Sequence, residues 1–323
     1  MYAFFNVQPL MLSINNIEVH SRKQLASIIN IQGSGHRFSR KMEMQIATQL
    51  TVHGLTESAN SYIQQLRKCY PGPHIGKYLD FLGAINLNLA QYKVTEEIER
   101  SSICAELLSF DSMFFKRNND DHLIIVFATA WNNFGVSFPV LHMMLKRTNQ
   151  SILYIKNPAR GMYTTGSSQF GDNIDSMCEM LKDFVNAKAY KKVSVIGFSG
   201  GGYASLFAAG VIGADSYIGF AVKTDWSMSC PIPHAMWRTR PALDDYAKNS
   251  LVNLAEHYSM SRIGKATLYY GDLDTEDCLN AENMDGLKNF NIIPVRGSAH
   301  NVILPLVAKG HFEAVLNDMH RQT

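Results

Sequence analysis

The sequence predicts an α/β protein with a mostly parallel sheet, helices on both faces of that sheet, and a small helical region in front of it. From about residue 102 onward, short apolar runs rich in β-branched residues alternate with amphipathic stretches, as in repeated strand–helix units. Residues 39–100 instead carry apolar side chains at helical spacing. We therefore divide the chain into a mainly helical region, 1–101, and an α/β domain, 102–323.

The composition is ordinary for a soluble globular protein, with 323 residues, of which 46% are hydrophobic and 18% are charged. A formal net charge of +2 and the lack of a dense Lys/Arg block argue against a nucleic-acid partner. The five cysteines are scattered and form no C-x-x-C pair, so we expect reduced thiols, a cytoplasmic location and no metal site. We predict no signal peptide and no membrane span.

The helical region has breaks at Gly54 and at Pro71-Gly72-Pro73, which separate its predicted helices. The segment GLTESANSYIQQL, followed by the proline break, resembles a degenerate tetratricopeptide-type repeat. Such helices either dock a protein partner or cover the edge of the sheet. One or two copies of a repeat do not make a stable solenoid, so we expect them to pack on the main domain.

The α/β domain is predicted to alternate strands and helices up to its carboxyl terminus. Predicted strands lie at 104–110, 113–115, 123–127, 152–155, 193–196, 216–222, 267–270 and 291–295. Predicted helices lie at 138–146, 173–187, 202–209, 243–258, 281–290 and 302–319.

The most informative stretch is KVSVIGFSGGGYASLF, at residues 192–207, which is typical of a strand, a sharp turn and a helix. Ser199 lies at the apex, and Gly197 and Gly201 flank it in the pattern G-x-S-x-G of a nucleophile elbow. The flanking positions need glycine because a strained turn brings neighbouring backbone very close. The alternatives to a nucleophile elbow are a tight turn without chemistry and a phosphate-binding loop. The final glycine of a dinucleotide fingerprint and the Gly-Lys-Ser/Thr of a P-loop are both missing.

A serine nucleophile needs a base, and the base needs a third group to orient it. The predicted strand at 267–270 runs into Gly271-Asp272-Leu273-Asp274, and the strand at 291–295 runs into Arg296-Gly297-Ser298-Ala299-His300. Both stretches follow the carboxyl end of a strand, where open α/β sheets place their sites. The order along the chain is therefore serine, acid, histidine.

With these residues the chain, from about residue 105 to its end, resembles the α/β-hydrolase superfamily. The matching motifs are GFSGGG, GDLD and GSAHN. The resemblance implies Ser199 as nucleophile, His300 as base and Asp274 as the acid, because the last position of the family's G-x-x-D turn usually supplies it. Asp272 and Asp225 remain alternatives.

The resemblance also implies an oxyanion hole built from the amide of Gly200 and a second amide after the strand at 123–127. Ala130 and Trp131 are the candidates, and we favour Trp131. The His-Gly or Gly-Gly pair often found there in lipases and esterases is absent. Residues 226–264 are long for a crossover and carry several apolar side chains, so they are a possible cap over the site.

These observations predict a serine hydrolase that cleaves an ester or thioester of a small to medium acyl substrate through an acyl-enzyme, without a cofactor. Two alternatives stay open. The chain could be a non-catalytic accessory protein that docks a partner through its amino-terminal helices. It could also be an acyltransferase that uses the same three residues.

Overall fold

The computed structural model of the chain describes residues 38–92, 111–117, 121–129, 133–156, 163–227, 229–232 and 251–321. The strand predicted at 104–110 and the residues Ala130 and Trp131 lie outside these ranges. So does the first half of the helix predicted at 243–258. Within the described ranges the apolar runs form one seven-stranded sheet.

The bounds of the elements follow the chain. The strands are β1 Ser112–Phe115, β2 His122–Phe127, β3 Ser151–Ile155, β4 Lys192–Phe198, β5 Ser216–Phe220, β6 Lys265–Gly271 and β7 Phe290–Val295. The α-helices are α1 Arg40–Val52, α2 Thr56–Cys69, α3 Pro73–Ala90, α4 Phe138–Lys146, α5 Ile174–Lys188, α6 Gly200–Ile212, α7 Thr275–Asn283, α8 Ile303–Ala308 and α9 Phe312–Arg321. Two 3-10 helices, Leu254–Glu256 and Tyr258–Arg262, precede β6.

The strand order is β1-β3-β2-β4-β5-β6-β7, with β1 antiparallel to β3 and the other pairs parallel. Strand β2 shows why helices cover both faces. Every residue of β2 is buried; Ile124 and Val126 belong to one hydrophobic cluster, while Leu123 and Ile125 belong to the other. Because successive side chains of a strand point to opposite faces, a strand with apolar side chains on both sides needs helices on both faces. The predicted α/β class with a mostly parallel sheet is confirmed.

Helices α1 to α3 share the first hydrophobic cluster with the sheet, so they cover one of its faces. Hydrogen bonds join the two parts: the Ser137 amide donates to the Val52 carbonyl at 3.0 Å, and Asn88 Nδ2 donates to the Ala308 carbonyl at 3.1 Å. The likeness to a tetratricopeptide repeat is not confirmed. Docking of a protein partner by these helices stays a prediction.

Several element boundaries differ from the predicted ones, and one difference matters for the site. The helix predicted at 281–290 is instead α7, Thr275–Asn283, which starts directly after the acidic turn. The helix predicted at 302–319 is divided at Gly310. Gly310 has φ +71°, and its amide and that of His311 donate to the carbonyls of Val307 and Leu306 in a Schellman ending that terminates α8.

The described part of the helix predicted at 243–258 also differs, because residues 254–256 and 258–262 form 3-10 turns rather than an α-helix. Among the helices that the structure describes, none is long and apolar enough to cross a membrane.

Candidate active site

Ser199 stands at the apex of the turn between β4 and α6, as the motif predicts. Its backbone has φ +53° and ψ −119°, a conformation that side-chain-bearing residues rarely adopt. A Cβ at Gly197 would lie 1.8 Å from Ser205 Oγ, and one at Gly201 would lie 2.0 Å from the Ala128 carbonyl oxygen. Only glycine fits at these two places, so the packing around the turn holds Ser199 in its strained conformation.

His300 reaches Ser199 from the loop after β7. The distance from Ser199 Oγ to His300 Nε2 is 2.6 Å. The position of this loop depends on its close approach to the end of β6. A Cβ at Gly271, the last residue of β6, would lie 2.2 Å from the Ala299 carbonyl oxygen. The ring of Phe198 stacks on the His300 ring, with centroids 5.8 Å apart. The structure thus brings together the serine and the histidine that the sequence singles out.

The carboxylate at His300 is Asp277, and the prediction of Asp274 is wrong on this point. His300 Nδ1 lies 2.9 Å from Oδ1 and 3.1 Å from Oδ2 of Asp277. The Asp277 side chain is fully buried, whereas 27% of the His300 side chain is exposed. Ser199, His300 and Asp277 therefore form one continuous hydrogen-bonded chain that leads from the rim of the sheet into its interior.

The three aspartates considered from the sequence each have another partner. Asp274 is the N-cap of α7, and its Oδ1 accepts from the Asp277 amide at 3.1 Å. Asp272 Oδ1 accepts from the Gly297 amide at 2.7 Å. Asp225 Oδ1 accepts from the amide and the hydroxyl of Ser227, at 2.9 and 2.7 Å. Asp274 and Asp272 thus stabilise the turn and the histidine loop, and Asp277 contacts the imidazole.

A local signal for this arrangement exists in the sequence. Asp274-Thr275-Glu276-Asp277 has an N-cap residue followed by two acidic residues in the first turn, which is typical of a helix start. A helix that starts at Thr275 turns position 277 away from the cap and toward the sheet. The predicted helix at 281–290 begins after Asp277, so the sequence prediction does not place this residue on a helix.

A buried lysine, which sequence reasoning missed, completes the acidic side of the site. Lys223 follows β5, is 7% exposed, and its Nζ lies 3.0 Å from Asp277 Oδ1 and 3.0 Å from Glu276 Oε1. Burial by itself would lower the pKa of Lys223, but the charges of Asp277 and Glu276 outweigh it and raise that pKa. Burial by itself would raise the pKa of Asp277, but the charges of and hydrogen bonds from His300 and Lys223 outweigh it and lower that pKa.

The amide of Gly200 occupies the first position of α6, where an N–H has no acceptor within the helix. For the second oxyanion donor, Ala130 and Trp131 lie outside the described residues. The amides just before them are engaged: Ala128 donates to the Ile155 carbonyl and Thr129 to the Asn133 carbonyl, both at 2.9 Å. A second backbone donor from this loop would have to come from beyond Thr129.

The same acidic corner has the spacing of a possible cation site. One ligand atom each of Asp274, Asp277 and His300 lie within 4.8 Å of one another. However, Asp277 Oδ1 already contacts the Lys223 ammonium, and Asp274 Oδ1 accepts from a backbone amide. A positive charge beside the site disfavours a second cation, so we do not assign these residues as metal ligands.

The predicted cap is only partly described. Trp226 is 1% exposed and packs in the second hydrophobic cluster, so it belongs to the core. A cavity of about 680 Å³ lies beside Pro231, Leu251 and Asn283, and its described lining does not include Ser199, Asp277 or His300. Whether residues 226–264 cover the site stays a prediction.

No protein-family model matches the sequence, and no curated protein is significantly similar to it. Several solved structures resemble part of this chain. A carboxyl esterase from the fungus Tuber melanosporum is 12% identical over 65% of this chain and 81% of its own, with a TM-score of 0.46. An esterase domain from Rhodothermus marinus is 15% identical over 64% and 91%, with a TM-score of 0.46.

A third similar structure is an acylaminoacyl peptidase from Pyrococcus horikoshii, which is 12% identical over 65% of this chain and 39% of that chain, with a TM-score of 0.48. Sequence identities of this size leave the substrate of this chain open. The topology of the chain itself is more specific. Its parallel sheet, its elbow serine after β4, its acid after β6 and its histidine after β7 follow the α/β-hydrolase order. This chain has the α/β-hydrolase fold.

Proposed function

We propose that the protein is a serine hydrolase that cleaves an ester or thioester of a small to medium acyl substrate through an acyl-enzyme. The observation that carries this proposal is the continuous contact from Ser199 Oγ to His300 Nε2, at 2.6 Å, and from His300 Nδ1 to Asp277, at 2.9 Å. Three residues from distant parts of the chain meet at a strained turn, which a purely structural role does not require.

The contacts support a defined direction of proton transfer. A buried Asp277 with a lowered pKa is a carboxylate at neutral pH, so it accepts a hydrogen bond from His300 Nδ1–H without taking up the proton. The other ring nitrogen, Nε2, is then the acceptor and takes the hydroxyl proton of Ser199. Ser199 Oγ attacks the acyl carbon while His300 becomes an imidazolium beside the Asp277 carboxylate. The imidazolium returns its proton to the leaving oxygen or sulfur, and a water repeats the cycle to release the acid.

The negative charge that develops on the acyl oxygen would be met by the Gly200 amide at the positive end of α6. A preorganised donor at this place is worth about 3 kcal/mol of transition-state stabilisation in enzymes of this kind. Ala130 or Trp131 would supply the second donor. An ester or thioester is proposed rather than an amide from what the fold most often does, and the described residues suggest no further substrate group.

The proposal is tested by labelling with a fluorophosphonate probe and mapping the adduct. We expect an adduct on Ser199 that is abolished in Ser199→Ala and strongly reduced in His300→Ala. Ser261→Ala is the matched control, because this serine is exposed and its hydroxyl only donates to the Tyr258 carbonyl. Labelling that persists in Ser199→Ala would rule the proposal out.

A series of p-nitrophenyl esters of increasing chain length then defines the acyl pocket, with Ser199→Ala as the blank. Rates measured with and without an added alcohol separate hydrolysis from acyl transfer. If the protein neither labels nor cleaves any ester, the accessory-protein alternative replaces this proposal.

A further inference from the structure

Lys223 takes no part in the proton transfers of the proposed reaction, although it contacts Asp277, the carboxylate that orients His300. We propose that Lys223 is a positioning residue that fixes the Asp277 carboxylate toward His300 and sets the pH at which His300 becomes a competent base. This inference rests on the proposed function for its catalytic meaning. The electrostatic effect itself depends only on the contacts among Lys223, Asp277 and His300.

The contacts make Lys223 a bridge between two carboxylates on the same turn of α7. Its Nζ lies 3.0 Å from Asp277 Oδ1 and 3.0 Å from Glu276 Oε1. The Lys223 side chain is 8% exposed, the Asp277 side chain 0% and the Glu276 side chain 20%. A buried ion pair of this kind holds its geometry, because swinging either partner away leaves a charge unpaired in the interior.

The neighbouring residue anchors the same helix. The Thr224 amide donates to Asn280 Oδ1 at 2.7 Å, and Thr224 Oγ1 donates to the Asn280 carbonyl at 2.8 Å. Lys223 and Thr224, in the segment that follows β5, therefore hold the inward side of α7 at two points. This attachment explains why the acid at His300 comes from inside a helix rather than from the turn before it.

The charged and titratable groups around the site come from four segments. Helix α7 and its cap contribute carboxylates and a thiol. The segment after β5 contributes the only ammonium that contacts Asp277 among the described residues. Strands β6 and β7 end in the two loops that meet at the imidazole. The groups are Lys223, Asp272, Asp274, Glu276, Asp277, Cys278 and His300, with Ser199 on the elbow.

Coulomb's law gives the direction in which the charges of Lys223 and Glu276 shift the protonation of His300. The protonated imidazole of His300 is stabilised by Asp277 and Glu276 and destabilised by the Lys223 ammonium. Removing the ammonium leaves the Asp277 carboxylate at the imidazole, and Glu276 on the same turn, without their positive counter-charge, so His300 should hold its proton up to a higher pH. A base that stays protonated cannot accept the Ser199 proton, so the acidic limb of the activity profile should move upward as well. Removing the Glu276 charge should act in the opposite direction.

The experiment compares Lys223→Met, Lys223→Arg and Glu276→Gln with the unaltered protein, using two readouts. The first is the histidine NMR titration, in which the His300 signal is identified by its loss in His300→Gln. The second is the pH profile of the fluorophosphonate labelling rate. The matched control is Lys156→Met, because Lys156 is a second buried lysine at a strand end, with 6% exposure, and does not contact the acid.

We expect Lys223→Met to raise the His300 titration midpoint and the acidic limb by about one pH unit, and Glu276→Gln to lower both by a smaller amount. Lys223→Arg keeps the charge and should keep both midpoints, and Lys156→Met should leave them unchanged. This rescue by charge separates electrostatic positioning from simple packing, which arginine would disturb as much as methionine.

An unchanged His300 midpoint in a folded Lys223→Met protein overturns the inference. If that variant does not fold, Glu276→Gln decides, since a midpoint that fails to fall has the same consequence. The NMR readout does not need catalysis. Midpoints that shift in a protein that never labels would therefore support the role of Lys223 and contradict the proposed hydrolase, while labelling without any shift would do the reverse.

Discussion

Two lysines at the carboxyl ends of parallel strands have nearly the same burial and opposite electrostatics. Lys223, after β5, is 7% exposed, and Lys156, directly after β3, is 6% exposed. Lys223 contacts two carboxylates, which raise its pKa against the effect of burial. The Lys156 Nζ lies 5.5 Å from the centre of the Phe138 ring, and burial lowers its pKa to about 8, with only a smaller opposing effect from the charge of Asp111.

The difference teaches that burial alone does not decide the charge of a lysine at this edge of the sheet. Desolvation disfavours the ammonium at both places, and only close carboxylates reverse that effect. Those carboxylates are available beside Lys223 because α7 presents Glu276 and Asp277 on one turn. The two lysines therefore form a natural pair for testing which charges serve the site and which only add a cost to folding.

The largest effect is expected from a change at Asp277, the carboxylate that Lys223 contacts and Lys156 does not. Asp277→Asn removes the carboxylate that fixes the His300 tautomer, so the fluorophosphonate labelling rate should fall by a factor on the order of 10³ to 10⁴. Asp274→Asn is the matched control three residues earlier, and asparagine caps a helix about as well as aspartate, so its rate should change less than about tenfold. Equal losses in the two variants would mean that the contact between His300 and Asp277 does not matter for the reaction.

The next effect concerns the stability of the two lysine variants at pH 7. Lys223→Met leaves Asp277 and Glu276 without their buried counter-charge and should lower the free energy of unfolding by about 3 kcal/mol. Lys156→Met replaces an ammonium that burial disfavours and should be neutral or stabilising by about 1 kcal/mol. Urea unfolding followed by circular dichroism measures both. Similar losses in the two variants would remove the distinction between a paired and an unpaired buried lysine.

The smallest effect is the pH dependence that Lys156 alone should produce. Its pKa is about 8 in the folded protein and about 10.4 in the unfolded chain, so the unfolded chain binds more protons between these values. The cost of its charge is then complete below pH 8 and disappears as the pH rises toward 10. The gap in stability between Lys156→Met and the unaltered protein should therefore narrow by about 1 kcal/mol over that window, allowing for partial solvent screening. A gap that is constant from pH 7 to pH 10 would contradict the lowered pKa.

Much of the fold could be predicted because its signals are local. An apolar run such as residues 123–127 of β2 is typical of a strand covered on both faces, and the glycines at 197 and 201 are typical of a turn that has no room for a Cβ. The order of Ser199 and His300 along the chain, each after a strand end, predicted that they meet. Helix boundaries were less accurate, because the start of α7 and the ending at Gly310 depend on capping contacts.

The acid of the site was predicted wrongly for the same reason. The motif GDLD favours its last residue, but the amide-rich start of α7 binds that carboxylate as a cap. The residue three positions later faces the interior and contacts His300. Lys223 has no motif at all, since it lies 54 residues from Asp277 in the sequence and becomes recognisable only as its neighbour in space.

By itself, the sequence determined the α/β class, the strained turn that carries Ser199 and the place of His300 after the last strand. These depend on side-chain patterns over a few residues and on the rule that parallel strands end at one edge. Only the tertiary structure decided which carboxylate contacts the imidazole and which cation faces that carboxylate. The physical reason is that burial disfavours a charge unless an opposite charge lies close to it, and the distance between Lys223 and Asp277 is set by how helix α7 docks on the segment that follows β5.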